Sequence, residues 1–449
     1  MGASVDRLTG LISDPKRFDI PFSELRDVQI EAIDERFQER KEVIKLLGHR
    51  AHEAGLSKLR SREDIVQILF PHTAYKSYPA NFLIDERWDR LTKWIATVSS
   101  HPIKDVDLND ITDVDDWIAR LSSRGYFIAC SSGTTGNPAI LIASQKDMDW
   151  SKVDTINVFS WGSGVMPARN RMMFGCAPVA TTTRSCAIGD AQYAAFANPE
   201  WPRFRYPVPP ITVGSLTKML AMRKRIADGT ARPEEIAAFE ATSKERQEVL
   251  DRAIGSTAEQ IIANRDKLLM VSGLWSGLYA VAKAVSDRGY GGKDFHPDNC
   301  AYVAGGLKRA QLPPDYKEFV FRTFNVPHDH NFQNYSMQEL NSGMPKCRAG
   351  NRYHVPPWIV PMILNKEGDA LVHHDHGEVE GRAGFFDLSL EGRWGGVITG
   401  DKVWLDLRPC ACGNKGPSIR DNIARYADLE GDDKIGCAGT VDAYVRGVA

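Results

Sequence analysis

Eight consecutive residues, Ser131-Ser132-Gly133-Thr134-Thr135-Gly136-Asn137-Pro138, put four hydroxyls and two glycines into one short segment. Gly133 and Gly136 allow backbone N–H groups to approach an anion closely, and the hydroxyls can donate to phosphate oxygens or coordinate Mg²⁺. No Gly-Lys-Ser/Thr closes the segment, so it is not a Walker A loop. Its chemistry is that of a phosphate cradle, although a polar turn without a ligand has the same composition.

A second set of residues has the chemistry of a metal site. Cys410-Ala411-Cys412-Gly413 lies in a Gly- and Pro-rich stretch, and Cys347 and His354 lie upstream of it. Thiolates and imidazole are preferred ligands of tetrahedral zinc. Cys347, His354, Cys410 and Cys412 would therefore close a four-coordinate structural site, clipping a region with few large apolar residues. Small buried thiols are the alternative, and Cys437 is a reserve ligand. Cys130, Cys176, Cys186 and Cys300 sit among apolar or small residues and read as core. His373-His374-Asp375-His376 adjoins Gly377-Glu378 and reads as a solvated turn.

The elements that must position these residues have the texture of an α/β core. Tyr126 to Cys130 is a short, nearly all-apolar run that leads straight into the cradle, the mark of a strand buried on both faces. Leu268 to Val271 and Ala301 to Ala304 are further core strands, with a helix from Gly277 to Ser286 between them. Near the N-terminus, Leu25, Val28, Ala32, Ile33 and Phe37 repeat at helical spacing, and Ser61 with Asp64 opens a second helix that Pro71 stops. Both helices are expected to cover a sheet. Leu216 to Asp266 is charged and Ala-rich with a single Pro, Pro233, and predicts two or three surface helices. Beyond Pro345, short runs such as Trp358 to Leu364 and Val397 to Ile398 predict a small β subdomain.

The 449 residues have room for about three folding units. At 43% hydrophobic and 25% charged, the composition excludes a disordered or fibrous chain. Fifty-six basic against fifty-eight acidic residues leave no global positive field for a polyanion, so nucleic acid is not expected as the main partner. The longest apolar stretch, Gly273 to Val285, carries Lys283 and is shorter than the ~20 residues of a membrane span. The N-terminus lacks an apolar signal core, and eight cysteines are too sparse for a disulfide scaffold, so a cytoplasmic protein with reduced thiols is expected.

The order of these motifs resembles the acyl-adenylate-forming (ANL) superfamily, phenylacetate-CoA ligase-like branch. That superfamily's phosphate loop reads Ser/Thr-Ser/Thr-Gly-Thr-Thr-Gly-x-Pro, which Ser131 to Pro138 matches. Its Tyr-Gly-x-Thr-Glu motif is approximated by Tyr335-Ser336-Met337-Gln338-Glu339. A Gly-Gly turn upstream is matched by Gly305-Gly306, and the ribose-binding Thr-Gly-Asp by Thr399-Gly400-Asp401. The hinge is partly present as Gly439-Thr440-Val441-Asp442-Ala443, with Thr440 where the family has Arg. The resemblance implies an α/β fold: a multilayer ANL-type N-terminal core with parallel-rich sheets. Its expected segments are a helical N-terminal cover (1–120), a nucleotide- and acid-binding core (121–344), a β subdomain with the zinc site (345–438) and a hinge remnant (439–449). The implied activity is ATP-dependent conversion of a carboxylic acid, expected to be aromatic, to an acyl-adenylate for transfer to CoA, an amine or a carrier protein. Ser131, Ser132, Gly133, Thr134, Thr135, Gly136, Gly305, Gly306, Tyr335, Ser336 and Asp401 would bind the nucleotide. Thr135 and Glu339 would be catalytic, Glu339 holding Mg²⁺ as a hard oxygen donor, Tyr335 facing adenine and Asp401 accepting the ribose hydroxyls. Some relatives carry a Cys…His…Cys-x-Cys set in the same region. Trp161, Trp275 and Tyr279 are candidate walls of an aromatic-acid pocket, though such residues are commonly core.

Past the hinge, the family continues with a mobile domain of about a hundred residues that supplies a Lys and guides pantetheine. The sequence reaches Ala449 soon after Asp442. The expectation is a core that binds ATP and acid, adenylates slowly, and by itself makes negligible thioester. A non-catalytic nucleotide- or acid-binding protein and an adenylation subunit of a complex are the rival readings, and a homodimer is compatible with each.

Overall fold

The computed structural model of the protein describes residues 2–130, 138–307, 310–430 and 435. The chain is mixed α/β and divides into two compact units, Met1–Gly133 with Asn137–Asp154 and Ser336–Ala449, and Thr134–Gly136 with Thr155–Tyr335. Neither unit follows the consecutive segments expected from the sequence, because contacts join the N-terminal helices to the C-terminal strands.

In the second unit, parallel strands run in the order Met172–Gly175, Leu269–Gly273, Cys300–Val303 and Asn331–Tyr335. Helix Trp275–Ser286 follows the second strand and helix Tyr316–Phe324 the third. Leu269, Val271, Leu278, Val281, Ala301 and Phe324 share one apolar cluster, which is what ties these βα pairs together. The charged stretch folds as two helices, Val213–Ala227 and Pro233–Ala263, with Pro233 at the first turn where its missing N–H costs nothing.

In the first unit, helix Phe22–Arg40 buries Leu25, Val28, Ala32, Ile33 and Phe37. Its buried polar side chains satisfy carbonyls far along the chain. Gln29 Nε2 donates to Pro357 O (2.9 Å), Arg36 Nη2 to Leu388 O (3.0 Å) and Arg40 Nη1 to Arg393 O (2.8 Å). Leaving one such carbonyl unsatisfied costs about 1–3 kcal/mol. Ser61 caps helix Arg62–Gln67 through the Asp64 N–H (3.3 Å), while the Asp64 carboxylate accepts from the Arg60 N–H, one residue before the position a full capping box would use.

The sheet of this unit has the antiparallel order Ile359–Leu364, Glu378–Asp387, Gly396–Asp406, Ser418–Arg420 and Arg352–His354. Phe70–Pro71 joins Gly396–Asp406 in parallel. Parallel pairing is thus concentrated in the second unit. Phe127–Cys130 is a largely buried strand, paired antiparallel with Ile140–Ala143 across the cradle segment. An all-apolar run marks burial without revealing the direction of its partner.

Candidate functional site

Thr399, Gly400 and Asp401 lie in strand Gly396–Asp406 where its register with Glu378–Asp387 slips. Lys402 pairs with Arg382 and Ile398 with Gly384, so the three motif residues face Ala383 alone. Such a bulge re-aims side chains. Thr399 Oγ1 donates to Ala383 O (2.8 Å) and accepts the Asp401 N–H (3.1 Å), and Arg382 Nη1 donates to Thr399 O (2.9 Å). Asp401 Oδ1 lies 3.6 Å from Arg425 Nε of the paired strand Ala424–Arg425.

The segment carrying Glu339 is pinned by charged groups that sequence reasoning missed. Arg393 donates to Gln338 O (2.9 Å) and Glu339 O (3.2 Å). The buried Asp387 carboxylate accepts the N–H groups of Asn341 (2.7 Å) and Ser342 (3.2 Å). Asp154 accepts the N–H of Gly343 (3.0 Å). The Glu339 carboxyl is half-buried, and burial raises its pKa above the ordinary range. Its own backbone N–H, Lys76 and Arg393 oppose that shift, and the Asp401 charge adds to it. The Asp401 charge thus acts on the Glu339 carboxyl in the same sense as burial.

Lys76 is one of the cations acting on Glu339, with Arg393. It ends the 3₁₀ turn His72–Lys76, whose neighbourhood is fixed by Tyr75 Oη donating to Trp394 O (3.4 Å) and Tyr78 Oη donating to Pro138 O (2.8 Å). Pro138 is the residue that closes the cradle motif. Burial lowers the pKa of the Lys76 ammonium, Glu339 opposes this and Arg425 reinforces it. No local signal in the sequence marks Lys76, because its role depends on strand Phe70–Pro71 docking beside Val397 and Ile398.

Gly305, Gly306 and Tyr335 lie at the carboxyl edge of the second unit's parallel sheet, just past strand Cys300–Val303 and at the end of Asn331–Tyr335. Ligands of open parallel sheets bind along that edge. Gly305 has φ +130°, a conformation that favours glycine. Ser336 is exposed. The cradle residues Ser131, Ser132, Gly133, Thr134, Thr135 and Gly136, the hinge and Cys437 lie outside the described residues. Trp275 is core: it is buried and packs edge-on against Tyr316 (5.1 Å) and Phe321 (5.7 Å), while Tyr279 rests on Phe319. Cys130, Cys176 and Cys300 are buried, but Cys186 is exposed, because helix Thr183–Phe196 buries Gln192 and Phe196 instead.

The donor atoms of Cys347, His354, Cys410 and Cys412 all lie within 4.8 Å of one another. Cys347 Sγ is 3.6 Å from Cys410 Sγ, and Cys412 Sγ is 3.4 Å from His354 Nε2. Sulfur and nitrogen ligands around a tetrahedral zinc stand about 3.5–3.8 Å apart, whereas bonded sulfurs are at about 2.05 Å. Two N–H groups support the sulfurs: Gly350 N–H to Cys347 Sγ (3.1 Å) and Asn414 Nδ2 to Cys412 Sγ (3.2 Å). A Cβ on Gly350 would run into Cys410 Sγ, so only glycine fits there. A tight turn, with Gly413 N–H on Cys410 O (2.9 Å) and Gly413 at φ +91°, presents both knuckle cysteines to one point.

No protein-family model and no curated protein matches the chain. Among solved structures it is similar to 2-hydroxyisobutyryl-CoA ligase. The crystal structure of that ligase in complex with 2-HIB-AMP and CoA, in the thioesterification state, superposes over 92% of this chain and 70% of that one, with TM-score 0.56 and 14% identity. An open conformation with the same two ligands covers 92% and 77%, with TM-score 0.55 and 13% identity. The chain has the fold of this acyl-CoA ligase, in agreement with the ANL-type architecture that its motif order implies. Among the described residues, no helix is long and apolar enough to cross a membrane.

Proposed function

We propose that the chain uses ATP to activate a carboxylic acid as an acyl-adenylate and passes the acyl group to CoA. In the first step a carboxylate oxygen bonds to the α-phosphorus as the bond to pyrophosphate breaks. What supports this reading is a fold shared with an acyl-CoA ligase, together with a Glu339 segment pinned by Arg393 and Asp387 and a Glu339 carboxyl on which the charges of Lys76 and Asp401 act. Glu339 would hold Mg²⁺, which neutralises phosphate charge when bound. Asp401 would accept the ribose hydroxyls, Tyr335 would face adenine, and the cradle with Thr135, Gly305, Gly306 and Ser336 would line the nucleotide. Lys76 adds a positive charge for the phosphates. The aryl acid is the finer part of the reading, and it rests on the resemblance to the phenylacetate-CoA ligase branch, since Trp275 is taken up by the core. Amines and carrier proteins are the other acceptors, and a homodimer is the assembly to be tested. In the same reading Cys347, His354, Cys410 and Cys412 hold one structural Zn²⁺ with no open position. Zinc thiolates and free buried thiols fit a reducing compartment, the cytoplasm.

Acid-dependent exchange of pyrophosphate into ATP tests the reading, with phenylacetate, benzoate and 2-hydroxyisobutyrate as acids. Exchange with one of them supports it. ATP binding without exchange for any acid would instead support a non-catalytic nucleotide-binding protein. Lys76→Met is expected to raise the KM for ATP about tenfold or more while the KM for acid stays within about twofold, one charge-assisted contact being worth about 1.5–3 kcal/mol. Asp401→Ala should weaken ATP by at most about 3 kcal/mol in direct binding, and unchanged affinity would remove it from the site.

A further inference from the structure

We infer that Arg393 is a positioning residue, holding Glu339 in register with the strand that leaves the phosphate cradle. This rests on the reading of Glu339 as the Mg²⁺ ligand. Arg393 is 2% exposed, and its fork joins two distant segments. Nη1 donates to Ile142 O (2.8 Å) within strand Ile140–Ala143, and Nη2 donates to Gln338 O (2.9 Å) and Glu339 O (3.2 Å). The arginine is itself fixed from behind. Its carbonyl accepts Arg40 Nη1 (2.8 Å), the next carbonyl accepts Tyr75 Oη (3.4 Å), and Trp394 Nε1 donates to Ile68 O (2.9 Å).

Among the described residues, no carboxylate forms an ion pair with this guanidinium, which bonds the three carbonyls and also meets the Tyr75 hydroxyl. Its positive charge favours the ionised form of the Glu339 carboxyl. Two roles therefore meet in one planar group: it fixes the backbone on which Glu339 stands and supplies a positive charge beside the carboxylate. A lysine has a single point donor and cannot span Ile142 O and the 338–339 carbonyls together. A ligand carried on a backbone free to shift by about 1 Å loses about a hundredfold in function.

The test compares ATP binding by the full chain with and without Mg²⁺, using isothermal titration well below each variant's melting temperature. The wild type should bind ATP more tightly with Mg²⁺, and Glu339→Gln should lose that enhancement. Arg393→Lys should keep its Mg²⁺-free ATP affinity within about twofold yet lose most of the Mg²⁺ enhancement, about tenfold, because only the metal-dependent part needs the fork. The double variant should be no worse than Glu339→Gln alone, since both changes remove one function. Arg393→Met tests the same point without the charge, and circular dichroism melts identify any variant that fails to fold. An Arg393→Lys protein that keeps the full Mg²⁺ enhancement overturns the inference while leaving the role of Glu339 intact. A wild type whose ATP binding ignores Mg²⁺ overturns the reading of Glu339 and this inference with it.

Discussion

Glu339→Gln is expected to lower acid-dependent pyrophosphate exchange by about a hundredfold or more, the usual cost of losing a principal electrostatic group. Its melting temperature should stay within about 2 °C of the wild type, because the amide keeps the carboxyl's shape and removes the cost of ionising a half-buried group. Burial already raises the pKa of this carboxyl, helped by Asp401. The sign for stability follows from that direction. A raised acid is held neutral in the fold, so ionising it costs stability as pH rises from the unfolded pKa through the folded one, and a neutral Gln escapes this cost. The sign for function is opposite. Mg²⁺ needs the ionised carboxylate, so metal affinity falls as pH drops through the raised pKa, and this pH dependence should disappear in the Gln variant. An active Gln variant with normal Mg²⁺ dependence would remove Glu339 from the site.

The second large effect is expected at the cysteine cluster. The purified chain should carry about one zinc, and Cys412→Ser should abolish it, lowering stability by about 4 kcal/mol or more, as loss of a structural metal does. Chelation should lower the melting temperature before it weakens ATP binding, because the clip joins strand Arg352–His354 to the Cys410–Gly413 turn and shares no residue with those assigned to the nucleotide. Without metal, burial by itself would lower the His354 pKa, but hydrogen bonds to Cys347, Cys410 and Cys412 outweigh it and raise it. Burial would raise the Cys412 pKa, but its bond to His354 outweighs this and lowers it. Zinc must displace the imidazolium proton, so its affinity should fall with decreasing pH. Elemental analysis that finds no metal in a preparation of normal melting temperature would refute the assignment.

The sequence by itself carried the chemistry that depends on residue type and local order. Cys-x-Cys with an upstream Cys and His named the four donors that the fold gathers within 4.8 Å, since ligand preference is a property of side chains. Helical spacing marked the buried face of Phe22–Arg40, and the Gly-Gly and Tyr-to-Glu motifs marked a sheet edge and the segment after it. What only the tertiary structure decided depends on pairings between distant segments. The bulge that carries Asp401 arises from the register of two strands, not from Thr-Gly-Asp itself. Lys76 comes under the influence of the Glu339 charge only because the turn that follows Phe70–Pro71 docks beside Gly396–Asp406. Arg393 and Asp387 look like ordinary charged residues in sequence, yet each is buried against backbone groups of another segment, where an unsatisfied N–H or C=O would be costly. Cys186 exchanges its expected core surroundings for solvent for the same reason: composition sets what a side chain prefers, and only packing determines which preferences are met.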